Sequence, residues 1–417
     1  MRVRIHRGAH EIGGSCVEVE SVGGERLVLD VGTPLVTVEG EEPELPAIEG
    51  LIDADPALKG IVITHGHQDH WGLVDQTLPS VPLFMGEATH RILKEAAFWV
   101  SGLTRIPAGL LRHREPFELG DFRITPFLND HSAFDAYSLL VEADGRRLFY
   151  TGDIRGHGRK AGIFEQLLRT PPEDVDVLLT EGTNIRPDEE VEGAESTASE
   201  TDVELACVDL FKSTSGMVLA MYSAQNIDRL VTLFRAAKRT GRTFVTTLYG
   251  ASIAEATGNK NIPKADWPQV RVFIPGWQQA KVKKAGAFER VDRVKPDRIY
   301  EEELAKDPSQ WVVSFGMPLA KRLDASGCLT GARAVWSMWP GYLKEDKQKK
   351  LLNFLEERSI PLTIEHTSGH ASIPDLQRLA AALDPDRVVP IHSFGSGRFD
   401  VLFDGVEQHP DGEWWEV

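Results

Sequence analysis

The chain is predicted to be an α/β protein of two domains, with the second inserted into the first. Three observations point there. Short β-rich runs ending in polar residues fill the first 183 positions, a β-α-β unit follows an acidic connection, and the first pattern returns after position 360. The length of 417 residues also exceeds what one compact core usually supports.

The early strands read as CVEVES, RLVLDVG, GIVITH, FRITPFLN, YSLLVEADG, RRLFYTGD and VDVLLTEGT, separated by turn signals. Positions 87–101 read as a helix, with Ile92, Leu93, Ala96 and Ala97 at helical spacing. Asp30, His65, His131, Asp153 and Glu181 stand where strands end, which is where α/β folds build sites. The stretch 186–204 is strongly acidic, carries Ser and Thr, and reads as a connection with little core of its own. MVLAMYS is then an apolar strand, 224–240 a helix with Ile227, Leu230, Val231 and Phe234 inward, Gly241 its C′ residue, and RTFVTTLY the next strand. QVRVFIP, QWVVSFG and RAVWSMW continue the second sheet. PLTIEHTSGH, a helix capped by Ser372, and DRVVPIHSF return to the first domain. The boundaries expected are 1–198 and 361–417 for the first domain and 199–360 for the insertion.

Composition narrows the class. A hydrophobic share of 41% and a charged share of 26% are ordinary for a soluble globular protein. No apolar run is long enough to span a bilayer, and the start MRVRIHRGAHEIGG has no signal-type apolar region, so no membrane partner is expected. Cys16, Cys207 and Cys328 are few, odd in number and far apart; they read as buried thiols in a reduced cytoplasmic compartment. The net charge of −17 opposes broad, nonspecific binding of nucleic acid, yet 281–298 is locally basic.

The densest chemistry lies in Ile-Thr-His65-Gly-His67-Gln-Asp69-His70-Trp-Gly, just after an apolar run. His65 and His67, two apart, can converge on one metal ion, and Asp69 and His70 can reach a second. Imidazole and carboxylate donors suit borderline cations such as Zn²⁺, with Mn²⁺ a further candidate. A polar loop that happens to be His-rich is the bland alternative. His131, Asp153 and His392 each end a further strand. With the cluster they make seven ligands for two divalent ions, and a carboxylate such as Asp153 can bridge them.

The order Asp30, His65-x-His67-x-Asp69-His70, His131, Asp153 resembles the metallo-β-lactamase fold, a four-layer αββα sandwich. Glu181, His370 in HTSGHAS and His392 in VVPIHS resemble the three motifs of the β-CASP nucleases, whose α/β domain is inserted into that sandwich. The chain is most similar to the ribonuclease J group, whose Gly-rich EIG loop HEIGGS resembles. Unlike most of that group, the chain ends 25 residues beyond His392.

The resemblance implies that His65, His67 and His131 hold one metal and Asp69, His70 and His392 the other, with Asp153 between. Asp30 would orient a ligand histidine. Asp69, His370 and Glu181 would be catalytic, with Asp69 at the nucleophile. His370 would face the scissile phosphate, and Glu181 would keep it charged. Ser368 and Gly369 could offer backbone N–H groups to a phosphate, and Arg155, His157, Arg159 and Lys160 form a basic loop that could grip phosphates. A phosphodiester hydrolase acting on nucleic acid, RNA first, is therefore expected; a homo-oligomer stays open. A DNA nuclease or a small-molecule thioesterase or lactonase of the same fold are the alternatives, and a noncatalytic subunit would be expected to have lost ligands.

Overall fold

A computed structural model describes residues 1–35, 43–187 and 198–417. Most of the acidic connection, 188–197, therefore lies outside the described residues. The chain divides into two compact units: Met1–Lys94 with Leu103–Thr197 and Gly369–Val417, and Glu95–Gly102 with Ala198–Ser368.

The first unit is an αββα sandwich. Its seven-stranded sheet runs, in spatial order, Trp414–Glu416, Arg2–Arg7, Cys16–Glu20, Arg26–Leu29, Leu58–Val62, Leu83–Gly86 and Gly109–Leu111. Its six-stranded sheet runs Arg387–Ile391, Val177–Glu181, Arg146–Tyr150, Tyr137–Ala143, Phe122–Leu128 and Phe117–Leu119. Inward side chains of both sheets, such as Val3, Val19, Leu27, Ile124, Leu139 and Leu179, make one buried core. Separate apolar clusters lie under the helices on the outer faces, one around Ile61, Ile63 and Leu93 and one around Phe164, Leu167, Leu376 and Leu379. The aromatic C-terminal end, which the sequence did not mark as a strand, pairs antiparallel with the first strand, so Trp415 closes the core.

In the second unit six strands, all parallel, run Val270–Phe273, Thr243–Thr247, Trp311–Ser314, Val218–Met221, Arg333–Trp336 and Leu362–Ile364. Val218–Met221 is buried at every position, as a central parallel strand covered on both faces requires. The helix expected over 224–240 spans Ile227–Arg239, where the Asn226 side chain accepts the Arg229 N–H at 2.9 Å. Gly241 follows it with φ +72°.

Two sequence expectations need correction. Residues 361–368, expected in the first domain, fall in the second unit, where Leu362–Ile364 pairs with Arg333–Trp336 and extends its sheet. An exposed-looking PLTI run carries no signal of which sheet it joins. The connection assigned to 186–204 gives way at Ser199, whose capping box with Asp202 starts the helix Glu200–Ser213. The acidic residues there occupy a first turn, where negative charge is favoured. Among the described residues no helix is long and apolar enough to cross a membrane. All three cysteines are free and buried.

Candidate metal centre

The chemistry-bearing side chains of the first unit come from the C-terminal ends of strands. His65 and His67 follow Leu58–Val62, and Asp69 and His70 sit in the single turn Gln68–Trp71. His131 follows Phe122–Leu128, Asp153 follows Arg146–Tyr150, Glu181 ends Val177–Glu181, and His392 follows Arg387–Ile391. Asp30 and His392 take positive φ, +59° and +53°, an uncommon backbone state for such residues. Gly152, at φ +53°, lets Asp153 turn inward.

Asp153 is the hub. Its Oδ2 lies 3.6 Å from His65 Nε2 and 3.7 Å from His131 Nε2. Its Oδ1 lies 3.3 Å from His70 Nε2 and 2.8 Å from His392 Nδ1. His131 Nε2 is 3.1 Å from His67 Nδ1, and His392 Nε2 is 3.6 Å from Asp69 Oδ2. Two groups result, His65–His67–His131–Asp153 and Asp69–His70–Asp153–His392, within each of which the ligand atoms lie within 4.8 Å of one another.

Whether these residues suit cations is answered by their polar atoms. Nε2 of His65, His70 and His392 and Oδ1 of Asp153 are buried without a hydrogen-bond partner. Such a cluster costs stability unless something electropositive enters it. Burial, above all, holds His65 and His131 well below the usual histidine range, and so neutral as metal ligation requires. Burial would raise Asp153, but His392, His70 and His370 outweigh it and hold the carboxyl well below its usual range. The donor set of imidazoles and carboxylates fits divalent metal ions.

Surrounding groups fix the rings. Asp30 Oδ2 is 2.8 Å from His70 Nδ1, which turns Nε2 toward Asp153. Asp30 in turn accepts the Thr64 N–H at 2.7 Å and the Tyr150 hydroxyl at 2.9 Å. His131 Nδ1 donates to the Gly369 carbonyl at 2.6 Å. Sequence reasoning missed Thr64, Tyr150 and also Asn184, which donates to the His370 and Ala371 carbonyls at 2.9 Å each. Only strand-end polarity marked these residues, and it marks many others.

His370 Nδ1 stands 3.0 Å from Glu181 Oε2 and 3.7 Å from Asp153 Oδ2. Burial would lower its pKa, but Glu181 and then Asp153 override that and push it up to about 9. Glu181 is held by the Ile154 N–H at 2.9 Å. The His370 side chain keeps 21% of its surface exposed while Glu181 keeps 1%, so the ring, not the carboxylate, meets solvent.

The basic loop divides, with Arg155 and His157 buried and Arg159 and Lys160 part-exposed. Arg155 is wholly buried, with Nε 3.7 Å from Asp130, and cannot reach a substrate phosphate. It braces the residue before His131 instead. His157 is buried as well. Lys160 donates to the Ala133 carbonyl at 3.2 Å and lies over the Phe134 ring. Arg159 is half-buried and Ser368 belongs to the second unit. Gly369 uses its carbonyl on His131, and a Cβ there would come 2.8 Å from Ser132 Oγ, so glycine suits the close approach.

Comparisons with known proteins match segments that carry these residues. Residues 26–219 match the β-lactamase superfamily domain, and residues 362–393, which hold His370 and His392, match the Zn-dependent metallo-hydrolase RNA specificity domain. Over these segments the chain is similar to metallo-β-lactamase-fold hydrolases and to ribonuclease J-like proteins. Ribonuclease J of Mycobacterium tuberculosis is 28% identical over 254 residues, 58% of this chain and 43% of that protein. Ribonuclease J 2 of Staphylococcus epidermidis is 24% identical over 269 residues, 62% and 47% of the two chains. An RNase J-like protein of Methanocaldococcus jannaschii is 26% identical over 193 residues, 43% and 42%. The chain thus spans less than half the length of these curated relatives. The crystal structure of a protein of unknown function from Enterococcus faecalis V583 shares the fold, with TM-score 0.77 at 20% identity over 99% of both chains.

Proposed function

We propose that this protein is a two-metal-dependent phosphodiesterase that cleaves RNA. The observation that carries the reading is the division of Asp153, whose two oxygens face two separate histidine groups. His65, His67 and His131 would hold one divalent ion, Asp69, His70 and His392 the other, and Asp153 both. Bound zinc or manganese would supply an activated water near neutral pH and offset charge gathering on the phosphodiester. Asp69, part-exposed beside His392, would orient the attacking water or accept its proton. His370, charged through Glu181, would hold a nonbridging oxygen or protonate the leaving oxygen. Arg155, through Asp130, and Asp30, through His70, act on the ligands and not on substrate.

RNA as substrate draws support from the RNA specificity domain match, which spans His370 and His392, and from relatives named ribonuclease J. Zinc is favoured by nitrogen-rich ligation. The decisive measurement compares end-labelled single-stranded RNA and DNA, bearing 5′-monophosphate or 5′-hydroxyl, with zinc or manganese and with chelator. RNA should be cut with metal and stay intact with chelator. Faster cleavage of DNA would make the chain a DNA nuclease. No cleavage of either, alongside thioester or lactone hydrolysis, would end the nuclease reading.

A further inference from the structure

The stretch 277–298 is a basic island in an acidic protein, with seven cationic and three acidic side chains. The structure gives it a shape. In the helix Gly276–Ala285, Gln278 and Val282 are buried, while Trp277, Lys281 and Lys284 share a flanking stripe at spacings of four and three. Trp277 stands on edge against the buried Trp99 ring, centroids 6.2 Å apart at 88°, and keeps 37% of its surface open. Trp99 is itself locked by its Nε1 donation to Glu95 at 3.0 Å. Lys281 donates to the Trp99 carbonyl at 2.9 Å, and the Arg290 guanidinium lies 4.1 Å from the Phe98 ring centroid while pairing with Glu95. Phe288, 57% exposed, follows on the next turn of chain.

Two properties coincide here. Lys283, Lys284, Arg293 and Lys295 are exposed, and none has an ion-pair partner among the described residues. On the helix that carries Lys283 and Lys284 sits an indole packed on the buried Trp99, so that stacking a flat group on it costs little conformational entropy. Cations without acidic partners attract a phosphate backbone, and rigid exposed aromatic faces take bases of any sequence. An acidic polypeptide would match the charge but leave the aromatic faces without use.

We propose that this surface of the second unit binds single-stranded RNA, holding the chain of the substrate without taking part in its chemistry. The inference rests on the RNA-cleaving reading, and its test separates the two. Full-length protein would be titrated against fluorescein-labelled oligouridylate of about 20 nucleotides, by anisotropy over a salt series. Replacing Lys283, Lys284, Arg293 and Lys295 together by Ala should weaken binding at least tenfold and flatten the log Kd against log salt slope by about 0.7 per cation removed. Trp277→Ala should weaken binding about tenfold, with Trp277→Phe recovering most of it. Hydrolysis of bis(p-nitrophenyl) phosphate, which has no chain to hold, should be unchanged in both variants.

Wild-type affinity and salt slope in the quadruple variant, with RNA still cut, would overturn the inference and leave the enzyme reading intact. Tight, slope-sensitive RNA binding without cleavage would do the reverse. Polyglutamate binding in place of oligouridylate would also overturn it.

Discussion

Two buried clusters of ionisable side chains, one in each unit, differ in one respect that decides their roles. In the second unit, Arg229 donates through Nε and Nη2 to the two oxygens of Glu200 at 3.3 and 3.0 Å. Its Nη1 reaches the Ser337 hydroxyl at 2.7 Å, and Thr232 adds a bond to Glu200 at 2.7 Å. That cluster completes itself. In the first unit, Nε2 of His65, His70 and His392 and an oxygen of Asp153 converge with no partner. A buried cluster that closes on itself binds its own chain together, whereas one that leaves acceptors pointing at a common space is built around something else.

The sharpest break of that contrast is at Asp153. Asp153→Asn should lower metal-dependent cleavage by more than about a thousandfold, beyond the 10–100-fold typical of groups that only orient a ligand. It should also strip bound metal, measured by elemental analysis, because both groups of ligands lose the oxygen they share. Full metal content and undiminished cleavage in that variant would mean that Asp153 is not shared between two ions.

His370→Ala should cut kcat by about a hundredfold to ten-thousandfold with metal content retained, since the ring would act on substrate. Loss of metal in that variant would move His370 into the ligand set, where Asp153, Glu181 and His370 do lie close enough to hold an ion.

The complementary experiment breaks the self-satisfied cluster. Arg229→Ala strands the Glu200 carboxylate and should cost about 3–5 kcal/mol in chemical denaturation, with turnover per folded molecule unchanged. A loss below about 1 kcal/mol would show that water or rearrangement satisfies Glu200 as well as Arg229 does.

A third cluster, in the first unit, adds a pH test. Glu18 Oε2 lies 2.7 Å from Arg4 and 2.8 Å from His6, and Oε1 lies 2.9 Å from Arg26. Burial would raise its pKa, but bonds from His6, Arg4 and Arg26 bring it down from 4.5 to about 2. A depressed carboxylate pKa contributes stability above pH 4.5 that is lost as pH falls toward 2. Its size is on the order of 3 kcal/mol. Glu18→Gln should therefore flatten the acid limb of the stability curve between those pH values. An unchanged limb would remove Glu18 from the account.

The smallest effect is expected at Tyr150. Tyr150→Phe removes one of the bonds that fix Asp30, and should weaken metal affinity roughly tenfold or less in a chelator competition. No change would leave Thr64 as sufficient to hold Asp30.

The sequence alone determined the α/β class and the residues that could form the site, because His and Asp at strand ends in so dense a pattern have few packing explanations. It also marked the helix capped by Ser372 and, from apolar spacing, the helix that Asn226 caps in the structure. Only the tertiary structure decided how those groups share Asp153, since that depends on strands distant in sequence lying side by side. It also decided that Arg155 is a buried brace and that Leu362–Ile364 joins the second sheet. The physical reason is common to these cases. Residue type fixes what a side chain can do, but burial and pairing fix what it faces, and both are properties of the assembled fold.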